Sequence, residues 1–259
     1  MAAQRTARER ARAEFTADLL AAARARLVAD GAAQLSLRAV ARDLGVASSA
    51  VYRYVPSRDA LLTALIVESY DAVGQAAEVA AARARADGAD PAQTWLEVAR
   101  AVRVWARDNR SAYELVYGTP VPGYRAPQDT IAPALRIWGV IVDLVLAAAD
   151  AGTLVEAGPD FDPAGRVTAG VYALAQQRRE GLPPADPRPA AATDPAEPSE
   201  EFAQVAVRTI TLFSSLLGAI SAELFGHLHG ISEDYPALFD VTIATAARGV
   251  GLHVDLGRG

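Results

Sequence analysis

Apolar positions recur at helical spacing along almost the whole of this chain. Phe15, Leu19, Ala23 and Leu27 repeat every four residues with Leu20 and Val28 beside them, which predicts an amphipathic helix stopped by Gly31. Leu37, Val40, Ala41 and Leu44 follow the i, i+3, i+4, i+7 template, with Ser36 placed as a cap and Gly45 as the left-handed residue that ends the segment. A third short helix runs from about Ser48 to Tyr54 and is stopped by Pro56. Ser57 then caps a long fourth helix through Leu61, Leu62, Leu65 and Ile66 towards Ala86, with Asp59 in the first turn, where negative charge suits the helix dipole, and Gly74 as its weak point.

Two cramped helices joined by a glycine-containing turn bury little surface by themselves. They are the minimum needed to push one helix into a groove about 12 Å wide while the other holds it there. Val46 and Val51 are placed to face Val40 and Leu44, which leaves Ser48, Ser49, Tyr52 and Arg53 outward. Short hydroxyls approach phosphates and base edges closely, arginine reads guanine or binds phosphate, and tyrosine hydroxyls reach the backbone. Pattern alone leaves two readings open, a helix-turn-helix and an ordinary helical hairpin.

The stretch LSLRAVARDLGVASSAVYRYVPSRDALL resembles the N-terminal domain of the tetracycline-repressor (TetR) family of transcriptional regulators, from about Phe15 to Leu65. The resemblance implies that the third helix enters the major groove, that the start of the second contacts backbone and that the start of the fourth adds a phosphate contact. Position by position it puts Ser36 and Arg38 on the second helix, Ser48, Ser49, Tyr52, Arg53 and Tyr54 on the third, and Arg58 on the fourth. Ala47 stands where the family usually has a capping hydroxyl, so Ser48 is expected to take over the capping.

Beyond the fourth helix, helices are expected over about residues 91–109, 129–151, 163–179, 200–225 and 236–254, with turn-rich breaks such as GTPVPGYRAP. Residues 181–200 hold six prolines and read as a mobile loop. YELVYGTPVPGYRAP and LLGAISAELFGHLHG resemble C-terminal domains of the same family. That resemblance implies a homodimer in which the last two long helices pair with their mates, and Val207, Ile210, Leu217, Gly218, Ala219 and Ile220 suit such packing. It also implies a small-molecule effector held among the middle helices, for which Trp95, Trp105, Tyr113, Tyr117, Trp138 and Tyr172 are candidate lining residues. Each also fits an ordinary core position. Arg103, Arg107 and Arg136 are candidate anchors for an acidic ligand, with surface solvation as the alternative.

Charge sharpens the division. Residues 1–59 carry 10 Arg against 6 acids, net +4, and residues 60–259 carry 15 Arg against 25 acids, net −10, giving −6 for the chain. A basic end on an acidic body fits a nucleic-acid contact confined to that end. Arg5, Arg8, Arg10 and Arg12 cluster before the first helix, where an arm on DNA competes with a solvated terminus. There is no cysteine, which excludes disulfides and thiol chemistry. The longest uncharged apolar run, 209–222, is short of the roughly 20 residues a span needs, and the N-terminus has no apolar stretch of a secretory signal, so a cytoplasmic protein without membrane contact is expected. His227 and His229 would diverge by about 200° on a helix and no nucleotide or zinc motif accompanies them, so neither enzyme nor cofactor is expected.

The expectation is therefore an all-α chain with a helix-turn-helix DNA-binding domain at 1–59 and a helical-bundle ligand-binding and dimerisation domain at 60–259. Its function would be that of a repressor released from double-stranded operator DNA by a small-molecule effector. The competing classes are a helical protein-interaction or lipid-binding protein, and an enzyme.

Overall fold

The computed structural model describes residues 2–155, 157–159, 161–180 and 200–257, and among them every element is helical. The Pro-rich segment 181–200 lies, apart from Glu200, outside the described residues. The chain divides into two compact units, Met1–Tyr70 with Asn109–Thr130, and Asp71–Asp108 with Ile131–Gly259.

The first unit begins with α1 (Ala2–Asp30), more than three turns longer than the apolar stripe from Phe15 requires, and ended by Gly31 at φ 77°. A 3-10 turn (Ala32–Gln34) leads to α2 (Leu37–Asp43) and α3 (Ser48–Val51). Helix α4 (Arg58–Ala86) starts where the Ser57 hydroxyl accepts the Ala60 N–H. Leu19, Ala23, Val40, Ala41, Val51, Leu61, Leu62 and Leu65 form a core with at most 2% exposure each.

Between α5 (Pro91–Asp108) and the rest of the chain stands α6 (Arg110–Tyr117), a helix that the periodicity did not announce. It belongs to the first unit. Leu115, Val121 and Tyr124 pack on the core just described, the Tyr124 and Thr63 hydroxyls share a 2.9 Å hydrogen bond, and the Tyr70 hydroxyl donates to the Val116 carbonyl at 3.2 Å.

The second unit takes the far half of α4, α5, a short α7 (Ile131–Ala134), α8 (Arg136–Asp150), α9 (Ala169–Arg179), α10 (Glu200–Leu224) and α11 (Tyr235–Gly249). Three expected boundaries move. The helix expected over 129–151 is bent by 40° at Leu135, just past Pro133, whose ring has no place in a continuous ladder. The one expected from residue 163 begins at Ala169, because Gly165 sits at φ 68°. The last helix stops at Gly249 rather than 254, and Gly251 at φ 94° turns the tail back so that its carbonyl accepts the Val155 N–H.

Helix α10 packs against α8 and α11, and α5 meets α8 and α11. Trp138, Val142, Leu146, Ala175, Phe202 and Ala206 form a buried cluster, inside which the Trp138 indole N–H donates to the Thr209 hydroxyl at 2.9 Å. Bidentate pairs join helices of this unit: Arg103 of α5 with Glu223 of α10 at 2.6 and 2.7 Å, and Arg178 of α9 with Asp143 of α8 at 2.8 and 2.5 Å. Over Phe202–Leu224, α10 has the length and mean hydropathy, 1.6, of a membrane-crossing helix, which the count of uncharged residues alone had missed; only 28% of the apolar window is covered within the chain.

Candidate nucleic-acid interface

The helix-turn-helix is built on α2 and α3. Val46 N–H returns to the Ala41 carbonyl at 3.0 Å and Gly45 takes φ 66°, a left-handed conformation that costs glycine nothing. The turn drives Val51 against Val40 and Ala41, at no more than 1% exposure each. With Val51 pinned inward, helical geometry puts Ser49, Tyr52 and Arg53 on the outer side, where all three are exposed, Tyr52 at 47%.

Ser48 is half-buried at the first position of α3. It does not take over the capping, since the N-cap residue is Ala47 and no side chain closes that end; a hydroxyl inside the first turn points away from the amides it would need to reach. Ser36 occupies the N-cap position of α2 with extended backbone, φ −141°, yet its side chain makes no capping bond either. Arg38 is exposed on the first turn of α2.

Tyr54 and Arg58 have work inside the unit. The Tyr54 ring stacks on Phe15 at 4.4 Å, with the Arg12 guanidinium 5.6 Å above it. Arg58 donates to the carbonyls of Ala32, Ala33 and Leu35 at 3.0 to 3.1 Å, tying the start of α4 to the connection before α2. Several of its five guanidinium donors are thus spent on backbone.

Electrostatics favour a polyanion on this face. Arg26 clasps Asp43 through two hydrogen bonds of 2.6 Å and Asp30 through one of 2.9 Å. The Arg26 hydrogen bonds hold the Asp43 carboxyl below its ordinary range. Arg24 pairs with Glu68. Among the described residues no carboxylate lies within ion-pair distance of Arg38, Arg42 or Arg53. Arg42 was overlooked in the sequence, although its place one turn beyond Arg38 on the polar face of α2 was readable.

The candidate effector residues do not gather in one unit. Tyr113 and Tyr117 lie on α6 in the first; Trp95, Trp105, Trp138 and Tyr172 belong to the second. Trp95, Trp138 and Tyr113 are core, at 0 to 2% exposure, and the Tyr172 hydroxyl donates to the Pro163 carbonyl. Tyr117 lies against Tyr70 and Tyr113, and burial raises its phenol well above the ordinary value. The hydroxyl of Tyr117 and the indole N–H of Trp95 are buried with no hydrogen-bond partner.

Residues 19–65 match the family described as bacterial regulatory proteins, tetR family, and residues 95–246 match the tetracyclin repressor-like C-terminal domain. The chain belongs to the TetR family. It is 37% identical over 229 residues to the HTH-type transcriptional regulator Rv1816 of Mycobacterium tuberculosis, covering 85% of this chain and 84% of that one, and equally to the regulator Mb1846 of Mycobacterium bovis. The crystal structure of regulatory protein SCO4313 superposes with a TM-score of 0.64 at 30% identity, covering 92% of this chain and 97% of the other. A tetR family transcription regulator from Shewanella sp. PV-4 shares the fold at a TM-score of 0.53 and 16% identity, over 88% and 94% of the two chains. This TetR-family protein is thus a DNA-binding transcriptional regulator and not an enzyme.

Proposed function

We propose that the protein works in the cytoplasm as a homodimeric repressor, bound to a pseudo-palindromic operator near the genes it controls and released by a small uncharged effector. The observation that carries the dimer is a solvent-exposed side of α10. Val207, Ile210, Thr211, Ser214, Leu217, Gly218 and Ser221 recur at helical spacing there, each partly or fully exposed. On the neighbouring α11, Val241 is 51% exposed, and the Thr242 and Thr245 hydroxyls fold back onto the Leu238 and Val241 carbonyls, which leaves an apolar surface. Hydroxyls and a glycine suit close helix packing better than lipid contact, so a second copy is the favoured cover.

Operator contact is assigned to Ser36, Arg38, Ser48, Ser49, Tyr52 and Arg53, with Tyr54 and Arg58 holding the reading elements in place. The effector's neutrality follows from what is already paired. Arg103 and Arg107 share Glu223, and Arg136 is held by Asp71 and Glu78, so none offers an uncommitted cation. Among the described residues the buried polar atoms without a partner are one oxygen of Glu68 and two neutral donors, Tyr117 Oη and Trp95 Nε1, each donor in its own unit. The donors support a ligand bearing carbonyl, ether or similar acceptors.

The test is reciprocal binding. A ligand found by thermal-shift screening should bind more weakly to protein saturated with operator, by roughly 1 to 3 kcal/mol. Equal affinity with and without operator would contradict release by that ligand.

A further inference from the structure

Two helices of the first unit end on an acid. Asp30 is the last residue of α1 and Asp43 the last of α2. A helix C-terminus carries the negative end of the dipole, so a carboxylate there opposes its own helix. One side chain answers both. The Arg26 Nε and Nη2 donate to the two Asp43 oxygens at 2.6 Å each, and its Nη1 donates to Asp30 at 2.9 Å. Asp43 is ionised at neutral pH, since the Arg26 hydrogen bonds hold its carboxyl below the ordinary range. Its charge is therefore present when the protein meets DNA, and its place matters. Asp43 stands five residues before Ser48, the start of α3, a reach of about 17 Å for fully extended chain. The turn between them is far from extended, with Gly45 left-handed and the Val46 N–H returned to the Ala41 carbonyl. A bare carboxylate there lies within about two Debye lengths of the phosphates that α3 approaches, close enough to repel them. Among the described residues neither Arg38 nor Arg42 is within ion-pair distance of a carboxylate, so Arg26 takes up Asp43 and leaves the exposed arginines of α2 uncommitted.

We propose that Arg26 raises affinity for duplex DNA without touching it, by masking the Asp43 and Asp30 carboxylates on the unit that carries the reading helix. It acts through the two acids and is a positioning residue. The proposal rests on the DNA-binding function of the first unit and goes beyond the residues assigned to operator contact. Masking carries no base sequence, so operator and mixed-sequence duplex gain alike, and the gain fades as salt screens it. A clasp needed only to hold α2 against α1 would behave otherwise. Breaking it from either side would harm binding equally, and at every salt concentration.

The experiment measures binding of the full chain to two duplexes of equal length, an operator that the protein selects from a random pool and a mixed sequence, over a series of salt concentrations. Arg26→Gln should weaken binding to both by roughly 3- to 10-fold at about 0.1 M salt, and the deficit should close as salt rises. Asp43→Asn, with Arg26 intact, should bind at least as tightly as wild type. The double variant should recover most of the loss. Asp43→Asn binding as weakly as Arg26→Gln would overturn masking and leave a structural clasp. So would a double variant that stays weak, or an Arg26→Gln deficit that is absent or does not change with salt. If Arg26→Gln does not fold, Asp43→Asn decides alone, with a loss of affinity overturning masking and an equal or tighter complex upholding it. The ratio of operator to mixed-sequence affinity should be the same in every variant. A wild type with no preference for its operator would fail the operator reading, while the masking comparison still stands on either duplex.

Discussion

Arg53 projects from the exposed side of the turn after α3, two residues beyond a valine with no exposed surface, and among the described residues no carboxylate pairs with it. Replacing it by Ala should leave melting unchanged and weaken operator binding by roughly 1 to 3 kcal/mol at matched salt. Titration of both proteins into labelled operator would show it, and equal affinities would remove Arg53 from the interface. Gly74 is the opposite case. In the sequence it is a weak point in α4; in the structure an added Cβ would lie 2.7 Å from Arg136 Cβ and 2.8 Å from its Nε. Glycine thus leaves room for Arg136 to cross α4 and pair with Glu78 at 2.6 Å and Asp71 at 2.8 Å. In Gly74→Ala, overpacking of about 1 to 3 kcal/mol outweighs the roughly 1 kcal/mol that alanine contributes in a helix, so the melting temperature should fall. A rise would mean that Arg136 leaves its groove without cost.

Elements with a one-sided apolar stripe were legible in the chain. The helices through Leu19, Val40, Val51 and Leu61 could be drawn from spacing and caps, because each buries a face that the pattern marks. What resisted reading was held together across the sequence. Helix α6 has only eight residues, and its place in the first unit rests on Tyr124 meeting Thr63 and Tyr70 meeting Val116, partners 61 and 46 residues apart. The outward faces of Ser49, Tyr52 and Arg53 were readable for the same reason as the core, being its complement on a helix. The commitment of Arg58 to carbonyls of the α1–α2 connection was not, since no spacing rule announces a side chain bonded to backbone more than twenty residues back. On α10, Ile210 packs partly against the buried cluster of the second unit whereas Leu217 stays outside it, which makes Leu217 the cleaner probe of pairing. Leu217→Arg should give monomers in analytical ultracentrifugation, with melting little changed, and should lose operator binding with them. An unchanged dimer would move the interface to another face.

At the scale of the whole molecule, the proposed function requires two copies of this chain presenting two recognition helices to one duplex. A single short helix reads few base pairs, and specificity comes from fixing the distance between two of them. For a twofold dimer, adjacent major-groove faces lie roughly 34 to 36 Å apart, about one helical turn. The measurement that tests this most directly is operator affinity as a function of half-site spacing, at one salt concentration, with the selected half-sites moved apart one base pair at a time. The account predicts a sharp optimum at the natural spacing and a deep loss when about five added base pairs turn one half-site to the opposite side of the duplex. Affinity that ignores the spacing would contradict it, and would leave a protein that binds each half-site alone.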